Sequence, residues 1–234
     1  MMIEAKELRK EYNQDHVALK ALNLKINPGE IYCLLGSNGA GKSTTINLFL
    51  DFIKPTSGKG FINNKEVALY GPETKADIAY IPENLMLYPQ LTGMENLDFF
   101  CGLAGYDKSR DELMELLMGS GLQQKFITEK VKNYSKGMRQ KVGIALTKAK
   151  QAKALLLDEP TSGLDPKASN EFSDLLLEMK GKGLATLMAT HDLFRAKETG
   201  THIGIMKEGV LLESFAASDV SFKELEILYL QHMH

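Results

Sequence analysis

The chain has 234 residues, of which 44% are hydrophobic and 25% are charged. This composition is typical of a globular domain and excludes a disordered chain, a collagen-like repeat and a small disulfide-rich scaffold. The 28 basic and 30 acidic residues give a formal net charge of −2. No strongly basic surface is therefore expected, and nucleic acid is not expected as a partner.

Cysteine use and hydropathy indicate where the protein works. Cys33 and Cys101 lie far apart in separate apolar runs, which favours reduced thiols in a cytoplasmic protein over a disulfide framework or a metal site. The first residues do not resemble a signal peptide, and no apolar run approaches the roughly 18 residues that a membrane span requires. We therefore expect a chain that neither crosses a membrane nor is exported.

Two regions in the first third of the chain favour an antiparallel sheet. Short segments of alternating character fill the first 30 residues and end at the turn sequence Asn27-Pro28-Gly29. A second hairpin-like piece lies within residues 58–69. Alternation bounded by turn residues is typical of antiparallel strands.

Four short apolar runs predict buried strands at residues 31–35, 77–81, 154–157 and 184–189. A glycine-rich loop and then a helical pattern follow the first run, and the last two flank a helix that begins at Asp165-Pro166. Strands that alternate with helices predict a parallel sheet and an α/β fold.

The stretch from 85 to 150 has mainly helical patterns. Ser109 and Glu112 are spaced for a capping box before a run of leucines, and a second apolar stripe follows Met138. We expect a helical subdomain of residues 85–150 inserted into a core formed by 1–84 and 151–234. A further capping box, Ser221 with Glu224, predicts a terminal helix.

A phosphate-binding loop follows the first predicted parallel strand. Its sequence, Gly36-Ser37-Asn38-Gly39-Ala40-Gly41-Lys42-Ser43, matches G-x-x-x-x-G-K-[ST] in full and is followed by Thr44. Such a loop points backbone N–H groups at phosphates, its lysine reaches the β- and γ-phosphates, and its serine hydroxyl can bind Mg²⁺. The alternative, an ordinary strand-to-helix turn, rarely produces the full motif. A purine triphosphate is therefore the expected ligand.

Two acids end the third predicted parallel strand. Asp158 and Glu159 follow four apolar residues, and a strand beside the phosphate loop would place Asp158 at Mg²⁺ and Glu159 over the γ-phosphate. Glu159 could then polarise the attacking water as a general base. Acids at a strand end are also common surface residues, so this interpretation depends on the phosphate loop.

His191 follows the fourth predicted strand and would emerge at the carboxyl edge of the sheet, where open α/β folds bind ligands. It could bond the γ-phosphate, or it could be a solvated or capping residue. Two other histidines, His232 and His234, lie at the chain end and are interpreted as bystanders and not as metal ligands.

Ser135 and Gly137 open the amphipathic helix that contains Met138. The helix N-terminus with a serine hydroxyl is a second candidate anion site. An ordinary serine N-cap explains the same residues, so the pattern alone leaves both interpretations open.

The order of these motifs resembles that of the ATP-binding-cassette (ABC) ATPases, the nucleotide-binding subunits of ABC transporters. The resemblance covers the chain to about residue 215, and it likens the phosphate loop to the Walker A motif, Asp158 and Glu159 to Walker B, and residues 162–165 to the D-loop. Tyr12 is similar to the adenine-stacking aromatic residue, Glu83 to the Q-loop residue and His191 to the switch histidine. Residues 135–138 resemble the signature motif.

The resemblance implies a role for each matched residue. ATP would bind to Tyr12, Ser135, Gly137 and residues 36–44. Mg²⁺ would bind to Ser43, Asp158 and Glu83, while Lys42, Glu159 and His191 would act in hydrolysis.

The chain departs from the family pattern at two places. The usual signature Leu-Ser-Gly-Gly-Gln reads Tyr-Ser-Lys-Gly-Met at residues 134–138, and Glu83 replaces the usual glutamine. A glutamate can bind Mg²⁺ at least as well as a glutamine. Both variants look like the subfamily that serves drug, antibiotic, sodium or lipid exporters.

The resemblance therefore implies an ATP-hydrolysing subunit that dimerises, with itself or with a different ATPase, around two ATP molecules and drives export through separate transmembrane permease subunits. Such a subunit would lie on the inner face of the cell membrane. A soluble ABC protein of translation or DNA maintenance and a small-molecule kinase are the alternatives. The first usually carries two cassettes or a long coiled coil, and the second would not need the residues around Ser135.

Overall fold

The computed structural model describes residues 1–13 and 16–233, so His234 lies outside the described residues. Two sheets stand beside each other. Their strands are β1 (Ile3–Asn13), β2 (His16–Ile26), β3 (Ile31–Leu35), β4 (Ser57–Ile62), β5 (Lys65–Glu66), β6 (Ile78–Ile81), β7 (Ala154–Asp158), β8 (Ala185–Thr190), β9 (His202–Lys207) and β10 (Val210–Ala216).

The larger sheet has the strand order β10-β9-β3-β8-β7-β6, and its strands run parallel except for β10. Every residue of β3 and β8 is buried, as expected for strands covered on both faces. The predicted parallel sheet is confirmed. Two predicted strand starts were wrong by one residue, because Asp77 belongs to the helix before β6 and Leu184 precedes β8.

The smaller sheet is antiparallel, in the order β2-β1-β4-β5. The antiparallel sheet is confirmed, but its first two strands are 11 residues each and not the short segments expected. Irregular register along β1, with Glu7 at φ 48°, breaks the alternation that reveals a long strand. Asn63 and Asn64 both have positive φ and close the tight hairpin between β4 and β5.

The helices are α1 (Lys42–Phe49), α2 (Gly71–Asp77), α3 (Gly93–Leu103), α4 (Arg110–Gly119), α5 (Gln124–Ile127), α6 (Lys136–Ala149), α7 (Pro166–Gly181), α8 (Leu193–Thr199) and α9 (Phe222–Met233). The capping box of Ser109 and Glu112 opens α4, and that of Ser221 and Glu224 opens α9. Within the described ranges, no helix combines the length and the apolar character that crossing a bilayer requires.

Three apolar clusters hold these elements together. One fills the space between the two sheets around Phe49, and the second packs Phe172 of α7 against the opposite face of the larger sheet. The third contains Leu97, Leu117 and Val142, and all of its members lie within residues 85–150. The helices of this segment therefore bury most of their apolar surface against each other.

A substitution at Gly58 tests how closely β1 and β4 pack. Its φ is +73°, and a Cβ added there would lie 1.9 Å from the carbonyl oxygen of Glu7. We predict that Gly58→Ala lowers the free energy of unfolding by about 2–4 kcal/mol, because the alanine would be strained and would collide with backbone. Urea titration followed by circular dichroism measures this change.

Gly102→Ala is the matched control. Gly102 lies in α3, and a Cβ added there meets no atom within 4 Å among the described residues. Its free energy of unfolding should stay the same or rise by up to about 1 kcal/mol, since alanine favours helix over glycine. Equal destabilisation by both substitutions would contradict the assigned packing at Gly58.

Candidate functional site

The predicted phosphate loop connects β3 to α1 and borders a cavity of about 260 Å³. Gly39 and Gly41 have φ of +83° and +105°, and a Cβ on Gly41 would lie 2.6 Å from the carbonyl oxygen of Ala18. Only glycine adopts this path without strain. The cavity is lined by residues 37–44 together with Ala18, Glu83, Asp158 and Glu159.

Lys42 is folded back into the loop. The side chain is only 6% exposed, and its Nζ donates hydrogen bonds to the carbonyl oxygens of Gly36 at 2.6 Å and Ser37 at 3.2 Å. The same Nζ lies 3.5 Å from Oε1 of Glu159. A buried cation thus borders the cavity, an arrangement that suits a phosphate group.

Glu159 is held in place from several directions. Its backbone N–H donates to the carbonyl oxygen of Ala189 at 2.9 Å, and its φ is +47°, a conformation that costs a non-glycine residue about 1–2 kcal/mol. Oε2 lies 2.8 Å from Nδ1 of His191 and accepts the His191 backbone N–H at 3.3 Å. Oε1 is buried and has no hydrogen-bond partner among the described residues. This carboxylate oxygen therefore lies beside Lys42 with its hydrogen-bonding capacity unused by the described residues.

Ser43 and Asp158 form the second polar contact of the cavity, with the Ser43 hydroxyl donating to Asp158 Oδ1 at 3.2 Å. Burial is the largest cause that raises the pKa of Asp158, and the carboxylates of Glu159 and Glu83 raise it further, while the hydrogen bond from Ser43 opposes the shift. A carboxylate with a raised pKa gains most from a nearby cation.

The oxygen ligands of Ser43 and Asp158, with Glu83 also on the cavity wall, fit Mg²⁺ chemically. Among the described residues, no group of three or more His, Cys, Asp or Glu side chains is arranged to hold a metal by itself. Proteins usually bind Mg²⁺ with one or two carboxylates, together with phosphate oxygens and water.

Glu83 lies after β6, and the structure gives it two partners that the sequence did not indicate. Its Oε1 accepts a hydrogen bond from the Ser162 hydroxyl at 3.2 Å and lies 4.0 Å from Nζ of Lys136. The sequence singled out Ser162 only as part of residues 162–165, which resemble the D-loop. Ala18 was also missed, since a small residue in an alternating strand carries no signal for a ligand site.

Among the described residues, Ser135, Gly137 and Tyr12 do not line the cavity of their own chain. The Ser135 hydroxyl caps α6 by accepting the Met138 N–H at 3.3 Å. Tyr12 lies near the end of β1, 52% exposed, with Nζ of Lys10 5.2 Å from its ring centroid. The structure thus gathers the loop, both acids, Glu83 and His191, and leaves the other three residues apart.

The chain matches known proteins over most of its length. A family model described as ABC transporter matches residues 19–162. The methionine import ATP-binding protein MetN 3 of Bacillus cereus is 34% identical over 94% of this chain and 66% of its own length. The fluoroquinolones export ATP-binding protein of Mycobacterium tuberculosis is 35% identical over 82% of this chain and 63% of its own length. The chain thus spans less than two thirds of these curated relatives.

A solved structure gives the same result for the fold. The dimeric post-hydrolysis state of an ATP-binding cassette, with ADP and Pi bound, superimposes with a TM-score of 0.82 and 28% identity, covering 92% of this chain and 99% of that one. Together with the family match and the assembled phosphate loop, this shows that the chain belongs to the ABC transporter family and has the fold of its ATP-binding cassettes.

Proposed function

We propose that this chain binds ATP with Mg²⁺ and hydrolyses it as the motor subunit of an ABC transporter. The observation that carries the proposal is the position of Glu159, which lines the cavity beside the phosphate loop and contacts Lys42 on one side and His191 on the other. A cation for the γ-phosphate, a carboxylate for the attacking water and an imidazole that orients the carboxylate are the parts that phosphoryl transfer needs.

The loop would bind the phosphates of ATP, and three oxygen ligands would bind its Mg²⁺. The backbone of residues 37–44 would surround the phosphates, and Lys42 would exchange its carbonyl partners for the β- and γ-phosphates. Ser43, Asp158 and Glu83 would hold Mg²⁺, which neutralises phosphate charge when bound. Tyr12 would stack on adenine, because it is similar to the adenine-stacking aromatic residue of the family.

Glu159 would act as the general base. Its Oε1 has no hydrogen-bond partner among the described residues, while Oε2 is held by His191. Once phosphate replaces the Glu159 partner of Lys42, Oε1 would accept a water proton, while the contact of Oε2 with His191 would keep the carboxylate oriented. His191 would also bond the γ-phosphate.

Two copies, or this chain and a different ATPase, would complete each site. Ser135 and Gly137 lie at the start of α6, away from the cavity of their own chain, and the similar cassette described with ADP and Pi is dimeric. The start of α6 in one protomer would therefore contact the γ-phosphate held by the other. ATP would join the two protomers, and its hydrolysis would separate them.

Separate transmembrane permease subunits would receive this motion, with the cassette on the inner face of the membrane. Residues 85–150 form their own apolar cluster and would move as a helical subdomain relative to the core of 1–84 and 151–234. We propose export as the direction of transport, because Glu83 and the variant signature motif both look like those of the exporter subfamily. The relatives that match include both an import and an export protein, so transport into and out of vesicles tests the direction.

Glu159→Gln separates binding from chemistry. The amide keeps the size of the side chain but cannot take a proton, so ATP binding should persist while hydrolysis falls by about 10²–10⁴-fold. ATP that remains bound across two protomers should stabilise the dimer. Phosphate release measures the first effect, and gel filtration with ATP measures the second.

Glu115 is exposed on α4. Glu115→Gln is therefore the matched control and should hydrolyse ATP at the wild-type rate. Lys42→Ala should lose nucleotide binding, since the buried cation of the loop is removed. Wild-type turnover in Glu159→Gln would show that another group activates the water. Lost turnover without a trapped dimer would leave Ser135 as an ordinary helix cap.

Ser135 should act on the nucleotide of the other protomer. We predict that a mixture of Lys42→Ala and Ser135→Arg chains recovers part of the ATPase activity that each lacks alone, because one site of the mixed dimer has both intact halves. The mixture must be measured at high protein concentration, since dimerisation follows mass action. Absence of recovery in a mixture shown by light scattering to form dimers would contradict the shared site.

Tyr12 should hold adenine by its ring face. Tyr12→Phe should bind ATP like the wild type, whereas Tyr12→Ala should bind it more weakly, because stacking needs the ring and not the hydroxyl. Titration with a fluorescent ATP analogue measures the affinity. Equal affinity in the two variants would remove Tyr12 from the site.

A further inference from the structure

Glu83 is contacted by two polar side chains that come from two other segments of the chain. The Ser162 hydroxyl donates to Glu83 Oε1 at 3.2 Å, and Nζ of Lys136 lies 4.0 Å from the same oxygen. Ser162 belongs to the loop after β7, and Lys136 is the first residue of α6. Three segments therefore meet at one carboxylate oxygen on the cavity wall.

The backbone that carries Lys136 is held near Ser162, because α6 is tied to the loop after β7. The buried Gln140 donates from Nε2 to the carbonyl oxygen of Pro160 at 3.3 Å. A Cβ added to Gly137 would lie 3.1 Å from Cβ of Ala168, so the helix packs closely on the start of α7 here. Lys136 is thus held on the same side of the cavity as Ser162.

Electrostatics gives this contact a role. Glu83, Asp158 and Glu159 all line the cavity, and Lys42 is already paired with loop carbonyls and with Glu159. A polyphosphate would add further negative charge. Lys136 supplies a second cation, and it lies beside Glu83, a carboxylate for which the described polar pairs give no contact with Lys42.

We propose that Lys136 is a positioning residue for Glu83. The Lys136 ammonium pairs with the Glu83 carboxylate when no divalent cation is present, and it competes with Mg²⁺ for that carboxylate when Mg²⁺ binds. The proposal rests on the proposed function of the cavity as a Mg²⁺-ATP site. Both cations would bind the Glu83 carboxylate, so each would weaken the binding of the other, and the effect would be reciprocal. Lys136 and Glu83 are also two positions at which the chain departs from the pattern that it resembles, and they depart with opposite charges.

Lys136→Met, which keeps the length and removes the charge, should therefore have two opposite effects. The Mg²⁺ concentration that gives half-maximal stimulation of nucleotide binding should fall by about twofold to fivefold, the range expected for one exposed ion pair. In EDTA, the affinity for the nucleotide should fall, because the charge of Glu83 is no longer balanced. Both are measured by equilibrium titration with a fluorescent, non-hydrolysable ATP analogue, so turnover does not enter.

Three variants make the test specific. Lys136→Arg keeps the charge and should retain the wild-type Mg²⁺ dependence. Lys141→Met removes a lysine of the same helix that pairs with Glu171 at 2.6 Å, and it should leave Mg²⁺ dependence unchanged. In a Glu83→Gln background, Lys136→Met should no longer shift the Mg²⁺ requirement.

The outcomes separate this inference from the proposed function. A wild-type chain that binds no nucleotide would overturn the Mg²⁺-ATP site, and the role of Lys136 with it. A wild-type chain that binds nucleotide, with Mg²⁺ dependence unaltered in a folded Lys136→Met variant, would overturn the role of Lys136 alone. A shift that persists in the Glu83→Gln background would also overturn it, because Lys136 would then contact the nucleotide directly.

Discussion

Parallel pairing of three central strands is the constraint on which the site depends. Leu35 of β3 lies opposite Thr190 of β8, and Asp158 of β7 lies opposite Ala189. Parallel strands in this register release the chain at one edge of the sheet. The phosphate loop, Glu159 and His191 all lie at that edge, although the loop is more than 100 residues before Glu159 along the chain.

The pairing continues past the strands into the site. The Glu159 N–H bonds the carbonyl oxygen of Ala189 and extends the β7–β8 ladder by one residue, in a backbone conformation that an extended strand would not adopt. The strained turn points the carboxylate back toward Lys42 and His191. Such strain is tolerated because the buried strands on either side over-determine the position.

Charge balance explains why the cavity suits a nucleotide with its cation. Lys42 is buried, and its positive charge is satisfied by loop carbonyls and Glu159, so an incoming phosphate can replace partners that the protein already provides. Burial raises the pKa of Asp158, and repulsion from the carboxylates of Glu159 and Glu83 adds to the shift. A divalent cation relieves that repulsion and neutralises the phosphates at the same time.

Local patterns were sufficient to predict most of the elements and the loop. The full phosphate-loop motif, the capping box of Ser109 and the apolar run of 154–157 each report a structure formed within a few residues, and these predictions are confirmed. The lengths of β1 and β2 were wrong, since a bulge near Glu7 interrupts the alternation. What the sequence by itself determined was thus the local conformation and the kinds of functional group available. Only the tertiary structure decided which groups meet: Lys136 and Ser162 reach Glu83 because strand register and helix packing bring together three segments that no short-range pattern connects.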